Sequence, residues 1–139
     1  MEWINHHRLY THIKHSDNTL LLLNLLLLLV IVFVPFPTAL MAEYIGQPDQ
    51  RIAALIYSGT FLVMAVCYNL VWQYASRKNR LLDPNTSIRE VDAITGQYKL
   101  GPLFYICTFV LAFFLPLVSV VLELLLAIFF AVPAKKRPE

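Results

Sequence analysis

Charge is scarce in this sequence. Asp, Glu, Lys and Arg make up 14% of its 139 residues, against about 25% in an ordinary soluble domain. Hydrophobic residues make up 58%, above the usual ~45–50%, and they stand in long uninterrupted runs. That balance excludes a disordered chain, a coiled coil and a disulfide scaffold, and it weighs against a water-soluble enzyme domain. Cysteine is almost missing. Cys67 and Cys107 each lie inside an apolar run and neither belongs to a Cys-x-x-Cys pair. Both read as small buried apolar residues and give no sign of an oxidised extracellular framework. There is no nucleotide loop, no Ser/His/Asp arrangement and no zinc spacing. No enzyme activity, no cofactor, no metal centre and no nucleic-acid partner is expected. The N-terminus is polar where a leader would be apolar, so no cleaved signal peptide is expected.

What the chain has is apolar length. A spanning helix needs roughly 20 apolar residues, so four spans at most fit. The first covers about 19–42 and ends in Pro35-Phe36-Pro37-Thr38. Proline inside a helix removes a donor and kinks it, and the freed carbonyls need a partner such as the Thr38 hydroxyl or a neighbouring helix. That end is therefore expected to pack against protein. The second span covers about 52–74, with Trp72 and Tyr74 where an interfacial belt belongs. In it Ser58, Leu62, Ala65, Asn69 and Gln73 form one small or polar face, as helix contacts in membranes do.

A polar loop over 76–99 follows. Ser87-x-x-Glu90 has capping-box spacing, and Ile88, Val91, Ile94 and Tyr98 suggest a short amphipathic helix on the membrane surface. One helix over 100–132 would be roughly 50 Å long at 1.5 Å per residue, beyond a ~30 Å hydrocarbon core. Two short spans, about 100–115 and 117–132 with a turn near Pro116, fit better. The net charge is +2 and there are 11 Lys and Arg residues. All but Arg51 fall in three clusters: Arg8 and Lys14; Arg77, Lys78, Arg80, Arg89 and Lys99; Lys135, Lys136 and Arg137. Four spans place all three on one side, which the positive-inside rule makes cytoplasmic. The expected architecture is an all-α membrane protein of four transmembrane helices in a single domain, 1–139, with both termini cytoplasmic. The C-terminal Lys-Lys-Arg serves as an anchor, with anionic lipid head groups as a secondary partner.

Few residues could carry chemistry. Asn24 and Glu123 are the polar groups deepest in the apolar runs. An intramembrane polar group is a functional candidate by default, which makes these two the ion-pathway candidates. The plainer reading gives Asn24 a hydrogen bond across helices and gives Glu123, within about two turns of a helix end, a donor on another chain. His6, His7, His12 and His15 all precede the first span, with His12 and His15 spaced to share a helix face. They read as a polar juxtamembrane segment rather than a metal or proton-sensing site.

The segments Trp3-Ile4-Asn5-His6-His7-Arg8-Leu9-Tyr10, Leu23-Asn24-Leu25-Leu26-Leu27-Leu28-Leu29, Pro35-Phe36-Pro37-Thr38-Ala39-Leu40 and Gly101-Pro102-Leu103-Phe104-Tyr105 resemble the endosomal/lysosomal transmembrane potassium channel family and its bacterial single-repeat homologues. The resemblance implies the third to sixth helices of a six-helix repeat, in a potassium-permeable channel assembled as a homo-oligomer, a tetramer in bacterial members. It implies an integral, multi-pass protein, in the plasma membrane of a prokaryote. The family's pore-lining first helix carries an Arg-x-x-x-Phe-Ser-Asp motif with no counterpart here; His15-Ser16-Asp17 is a superficial echo. The expectation is thus an N-terminally truncated channel subunit, and the alternative is a non-conducting membrane scaffold or assembly fragment. A transporter is disfavoured, because broken helices with converging polar groups are not evident.

Overall fold

Helix α4 (Gln50–Ser76) is the axis of the structure. Ala54, Tyr57, Phe61, Met64, Tyr68, Val71 and Ala75 are buried along it. Their alternating steps of three and four draw one continuous stripe up the helix. The computed structural model describes residues 2–79 and 81–131, without the side chains of Asn79 and Ala131. Around α4 stand α1 (Glu2–Thr11), α2 (Asn18–Phe33), α3 (Pro35–Tyr44), α5 (Ile88–Ala112) and α6 (Pro116–Ala131). Helices α2, α3, α5 and α6 each pack against it. The described residues contain no strand, so the architecture is all-α.

Helix α2 presents the opposite surface. Leu20 and Leu27, one heptad apart, are fully buried, while Leu21, Leu22, Leu25, Leu26 and Leu29 are exposed. A leucine face of that size is not stable against water in a monomer and calls for lipid or another chain. The helix starts at Asp17, whose carboxylate accepts from the Leu20 N–H at 2.8 Å and from the Tyr74 hydroxyl at 2.7 Å. One side chain thus caps α2 and ties it to the far end of α4.

The break between α2 and α3 is a gap in hydrogen bonding rather than a turn. Val34 keeps helical angles, φ −51° and ψ −39°. Pro35 supplies no donor, and the Val34 N–H takes the Ile31 carbonyl instead at 3.2 Å. The Thr38 hydroxyl bonds the Val34 carbonyl at 2.8 Å; that carbonyl already accepts Thr38's own N–H, so the hydroxyl does not answer the one Pro35 frees. Pro37 and Met41 are buried while Pro35 is exposed, so one face of this end meets protein.

Several expectations need correcting. The stretch 76–99 is not wholly a loop carrying a separate surface helix. Ser87 and Glu90 do form a reciprocal capping box, but the helix it starts runs without interruption through the apolar segment to Ala112. The span expected over 100–115 is the second half of this helix and stops three residues earlier. Pro102 lies inside α5 and leaves the Tyr98 carbonyl without its i+4 donor. The Asn69 side chain supplies one, with Nδ2 2.5 Å from the Tyr98 oxygen, and the Gln73 amide in turn holds the Asn69 Oδ1. Satisfied from outside, the helix passes through its proline. The turn that follows is short, since α6 opens with Pro116 at its first position, where a missing N–H is harmless.

At the other end, residues 12–15 lie beside 81–83. Ile13 and Leu82 form an antiparallel bridge, and Lys14 N and His15 N both donate to the Leu81 carbonyl. Lys14 Nζ stands 2.7 Å from Asp83 Oδ2. This pairing ends α1 at Thr11, so His12 and His15 do not share a helix face. Cys67 is buried, whereas Cys107 is exposed on the outer side of α5.

Candidate functional site

Ser119 and Glu123 sit four residues apart on α6, which puts them on one face. That face meets α4 and α5, and both side chains are closed off, at 0% and 1% exposure. The approach is close because the facing residues are small: Ser58 on α4 and Ala112 on α5 are also fully buried. A Cβ at Gly59 would come 3.4 Å from the Phe109 ring. Into this contact the sequence places four oxygen-bearing side chains. Thr108 Oγ1 is 2.9 Å from Glu123 Oε1 and 3.0 Å from the Tyr105 carbonyl. Ser119 Oγ donates to the Thr108 carbonyl at 2.7 Å and stands 3.1 Å from Ser58 Oγ. Glu123 Oε2 is buried and makes no hydrogen bond among the described residues. No Lys, Arg or His described here forms an ion pair with it.

Aromatic rings flank this cluster. Tyr57 and Phe61 pack in a tilted pair at 4.8 Å, while Phe61 and Tyr105 stack at 6.3 Å and Tyr105 and Phe130 at 6.4 Å. Beyond Phe61, Tyr105 and Phe130 is a cavity of about 70 Å³ with Glu2, Asn5 and Gln97 also in its wall. Glu123 does not reach it.

Asn24 lies elsewhere. It is half-buried on α2, and its Oδ1 is 2.8 Å from His6 Nε2 on α1. The His6 ring packs against Tyr10 at 4.8 Å and Trp3 at 6.0 Å. Asn24 therefore joins α1 to α2, while Glu123 joins α6 to α5, and the structure does not bring the two candidates together. His12 meets the edge of Trp72. Among the described residues, no three His, Cys, Asp or Glu side chains are grouped to hold a metal ion. Lys135, Lys136, Arg137 and Arg80 lie outside the described residues.

Sequence reasoning singled out Glu123 but not Thr108 or Ser119. Thr108 lies fifteen residues before it, and only the register of α5 against α6 brings them together. A signal was present for Asn69. A proline inside an apolar helix frees a carbonyl, and an amide on the neighbouring helix is the natural donor.

Among the described residues, two spans are long and apolar enough to cross a membrane, Asn18–Tyr44 and Gln50–Ser76, with Pro116–Phe130 a shorter apolar helix. Comparison with known proteins gives these helices a context. The family described as endosomal/lysosomal potassium channel TMEM175 matches residues 1–35. A potassium channel of Chamaesiphon minutus is 44% identical over 129 residues, covering 93% of this chain and 64% of the relative. A potassium channel of Streptomyces collinus is 36% identical, covering 80% of this chain and 54% of the relative. The endosomal/lysosomal proton channel TMEM175 of Homo sapiens is 28% identical over 71% of this chain and 19% of its own length. The crystal structure of a lysosomal potassium-selective channel TMEM175 homolog from Chamaesiphon minutus superposes with a TM-score of 0.82 at 42% identity, over 93% of this chain and 64% of that one. The chain thus spans less than two thirds of the bacterial relatives it matches. An integral membrane helical bundle with this sequence and this course belongs to the TMEM175 channel family.

Proposed function

We propose that this chain is a subunit of a potassium-permeable ion channel and not an enzyme. The observation that carries the reading is the superposition on a potassium-selective channel at 42% identity with a TM-score of 0.82. The bacterial relatives at 44% and 36% identity are named potassium channels. The vertebrate relatives, at 30% and 28%, are named proton channels. Potassium is therefore the ion proposed. The reading further takes four membrane-spanning segments, formed by α2 with α3, by α4, by the second half of α5 and by α6, with both termini cytoplasmic. The pairing of 12–15 with 81–83 supports it, because it brings Lys14 to the end of the bundle where Arg77 and Lys78 follow α4, as the positive-inside rule asks. At 16 residues, α6 is roughly 24 Å long and short for a ~30 Å core.

The exposed leucines of α2 supply surface for lipid and for further copies of the chain, in line with a homo-oligomer, a tetramer, in a prokaryotic plasma membrane. Asn24 and Glu123 are proposed to act on the ion path by holding the helices around it rather than by touching the ion, since each is engaged with another helix.

The second reading is a non-conducting scaffold. It is favoured by the absence of an Arg-x-x-x-Phe-Ser-Asp segment within these 139 residues. Potassium efflux from vesicles reconstituted with the 139-residue protein separates the two. Efflux above that of empty vesicles supports the channel; efflux equal to empty vesicles supports the scaffold.

A further inference from the structure

Counting protons in the α4–α5–α6 contact leads beyond conduction. A backbone carbonyl only accepts, so Ser119 spends its hydroxyl proton on the Thr108 carbonyl at 2.7 Å. Ser58 must then donate in its 3.1 Å contact with Ser119 Oγ. Thr108 has one hydroxyl proton and two oxygens in range: the Tyr105 carbonyl at 3.0 Å and Glu123 Oε1 at 2.9 Å.

If Glu123 were ionised, both would be acceptors competing for that proton. Its Oε2, buried and without a hydrogen bond, would also carry charge with only the Ser58 hydroxyl nearby, whose one proton is already engaged by Ser119. Burying an uncompensated carboxylate is far more costly than burying a neutral polar group. If Glu123 carries a proton, the chain closes. Oε1–H donates to Thr108 Oγ1, Thr108 donates to the Tyr105 carbonyl, and Ser58 donates to Ser119, which donates to the Thr108 carbonyl. Every hydroxyl proton is then used once, and only a neutral carbonyl oxygen stays unmatched. No cation nearby compensates an anion. The titratable groups facing Glu123 are the phenols Tyr57 of α4 and Tyr105 of α5, and behind them the Glu2 carboxyl of α1. None of these is a cation.

We propose that Glu123 is a proton-binding site, held at neutral pH as the uncharged acid that donates to Thr108 and fastens α6 to α5 and α4. Releasing the proton leaves the anion only hydroxyls already claimed by other acceptors, Thr108 at Oε1 and Ser58 beside the carboxyl, and water entering between the helices is the source of further donors. Deprotonation therefore loosens the contact of α6 with α4 and α5. The inference does not depend on what the chain conducts.

Infrared spectroscopy of the full 139-residue protein in lipid vesicles tests it. At pH 7 the wild type is expected to show the carbonyl stretch of a protonated carboxylic acid, and Glu123→Gln to lose that band. Thr108→Val, which removes the acceptor, is expected to move it to higher frequency, and Thr108→Ser to leave it in place. Identical spectra of wild type and Glu123→Gln at pH 7 would overturn the proposal. So would a band that Thr108→Val does not move. If the Gln variant does not fold, the wild-type band and its shift in Thr108→Val decide, since that shift separates Glu123 from the Glu2 carboxyl. A carboxylic-acid band persisting at pH 7 is expected, and one appearing only near the ordinary glutamate range of about 4.3 rejects the site.

Discussion

The side-chain amide of Asn69 donates to the Tyr98 carbonyl at 2.5 Å, the acceptor that Pro102 leaves without a backbone donor. One long-range hydrogen bond thus lets α5 run straight through a proline. Removing the donor leaves a buried carbonyl unsatisfied, which costs about 1–3 kcal/mol. Asn69→Leu is expected to destabilise the protein by that amount in denaturation measured in detergent. Pro102→Ala restores a backbone N–H to the same carbonyl, so Asn69→Leu in the Pro102→Ala background should cost clearly less. Additive effects of the two changes would show that the amide does not answer the proline.

Asp17 does two things with one carboxylate, accepting from Leu20 N and from the Tyr74 hydroxyl. Asp17→Ala should cost about 1 kcal/mol or more, the usual value of an N-cap with the tie to α4 added. Asp17→Asn should cost less, because Asn also caps well. The check is the thermal midpoint of each variant in the same detergent. Equal losses for the two would contradict the capping role.

The Lys14–Asp83 pair makes one local contact sensitive to acid. The hydrogen bond from Lys14, with that from the Asn85 N–H, holds the Asp83 carboxyl below its ordinary 3.8. A depressed folded value means that the tie is complete above the unfolded value and is lost as pH falls through the folded one. At pH 7 it is fully present. Amide exchange at 12–15 should be slower in wild type than in Asp83→Asn at pH 7. That difference should shrink once the pH drops below the ordinary carboxylate range. A difference that grows on acidification would contradict the pair.

Lys78, in the short turn just past the end of α4, is in a left-handed conformation, φ 59° and ψ 24°. Glycine adopts this region freely and a β-branched residue does so poorly. Lys78→Gly should be neutral or stabilising by up to about 1 kcal/mol, and Lys78→Val destabilising by about 1 kcal/mol or more. The two midpoints measured together decide, and the reverse order would refute the assignment.

Hydropathy made α4 legible, because its polar interruptions fall on a regular face and its ends coincide with the ends of the apolar run. It misdrew α5, because the composition changes near Lys99 while the helix does not. Backbone hydrogen bonding sets that boundary, and the capping box at Ser87 with the donor from Asn69 carries it across. The same limit applies to the buried carboxyl. Glu123 stands out in an apolar run, but Thr108, Ser119 and Ser58 are ordinary residues until the register of three helices brings their oxygens within 3.1 Å of one another. Cys107 looked as buried as Cys67 because an apolar neighbourhood in sequence does not distinguish lipid from protein as the covering medium.

Currents across a planar bilayer containing the 139-residue protein, under opposed potassium and proton gradients, test the channel reading most directly. The expected result is a current above that of the bare bilayer whose reversal follows the potassium equilibrium potential and does not move with the pH gradient. A current that reverses with the proton gradient, or none above the bare bilayer, would contradict it.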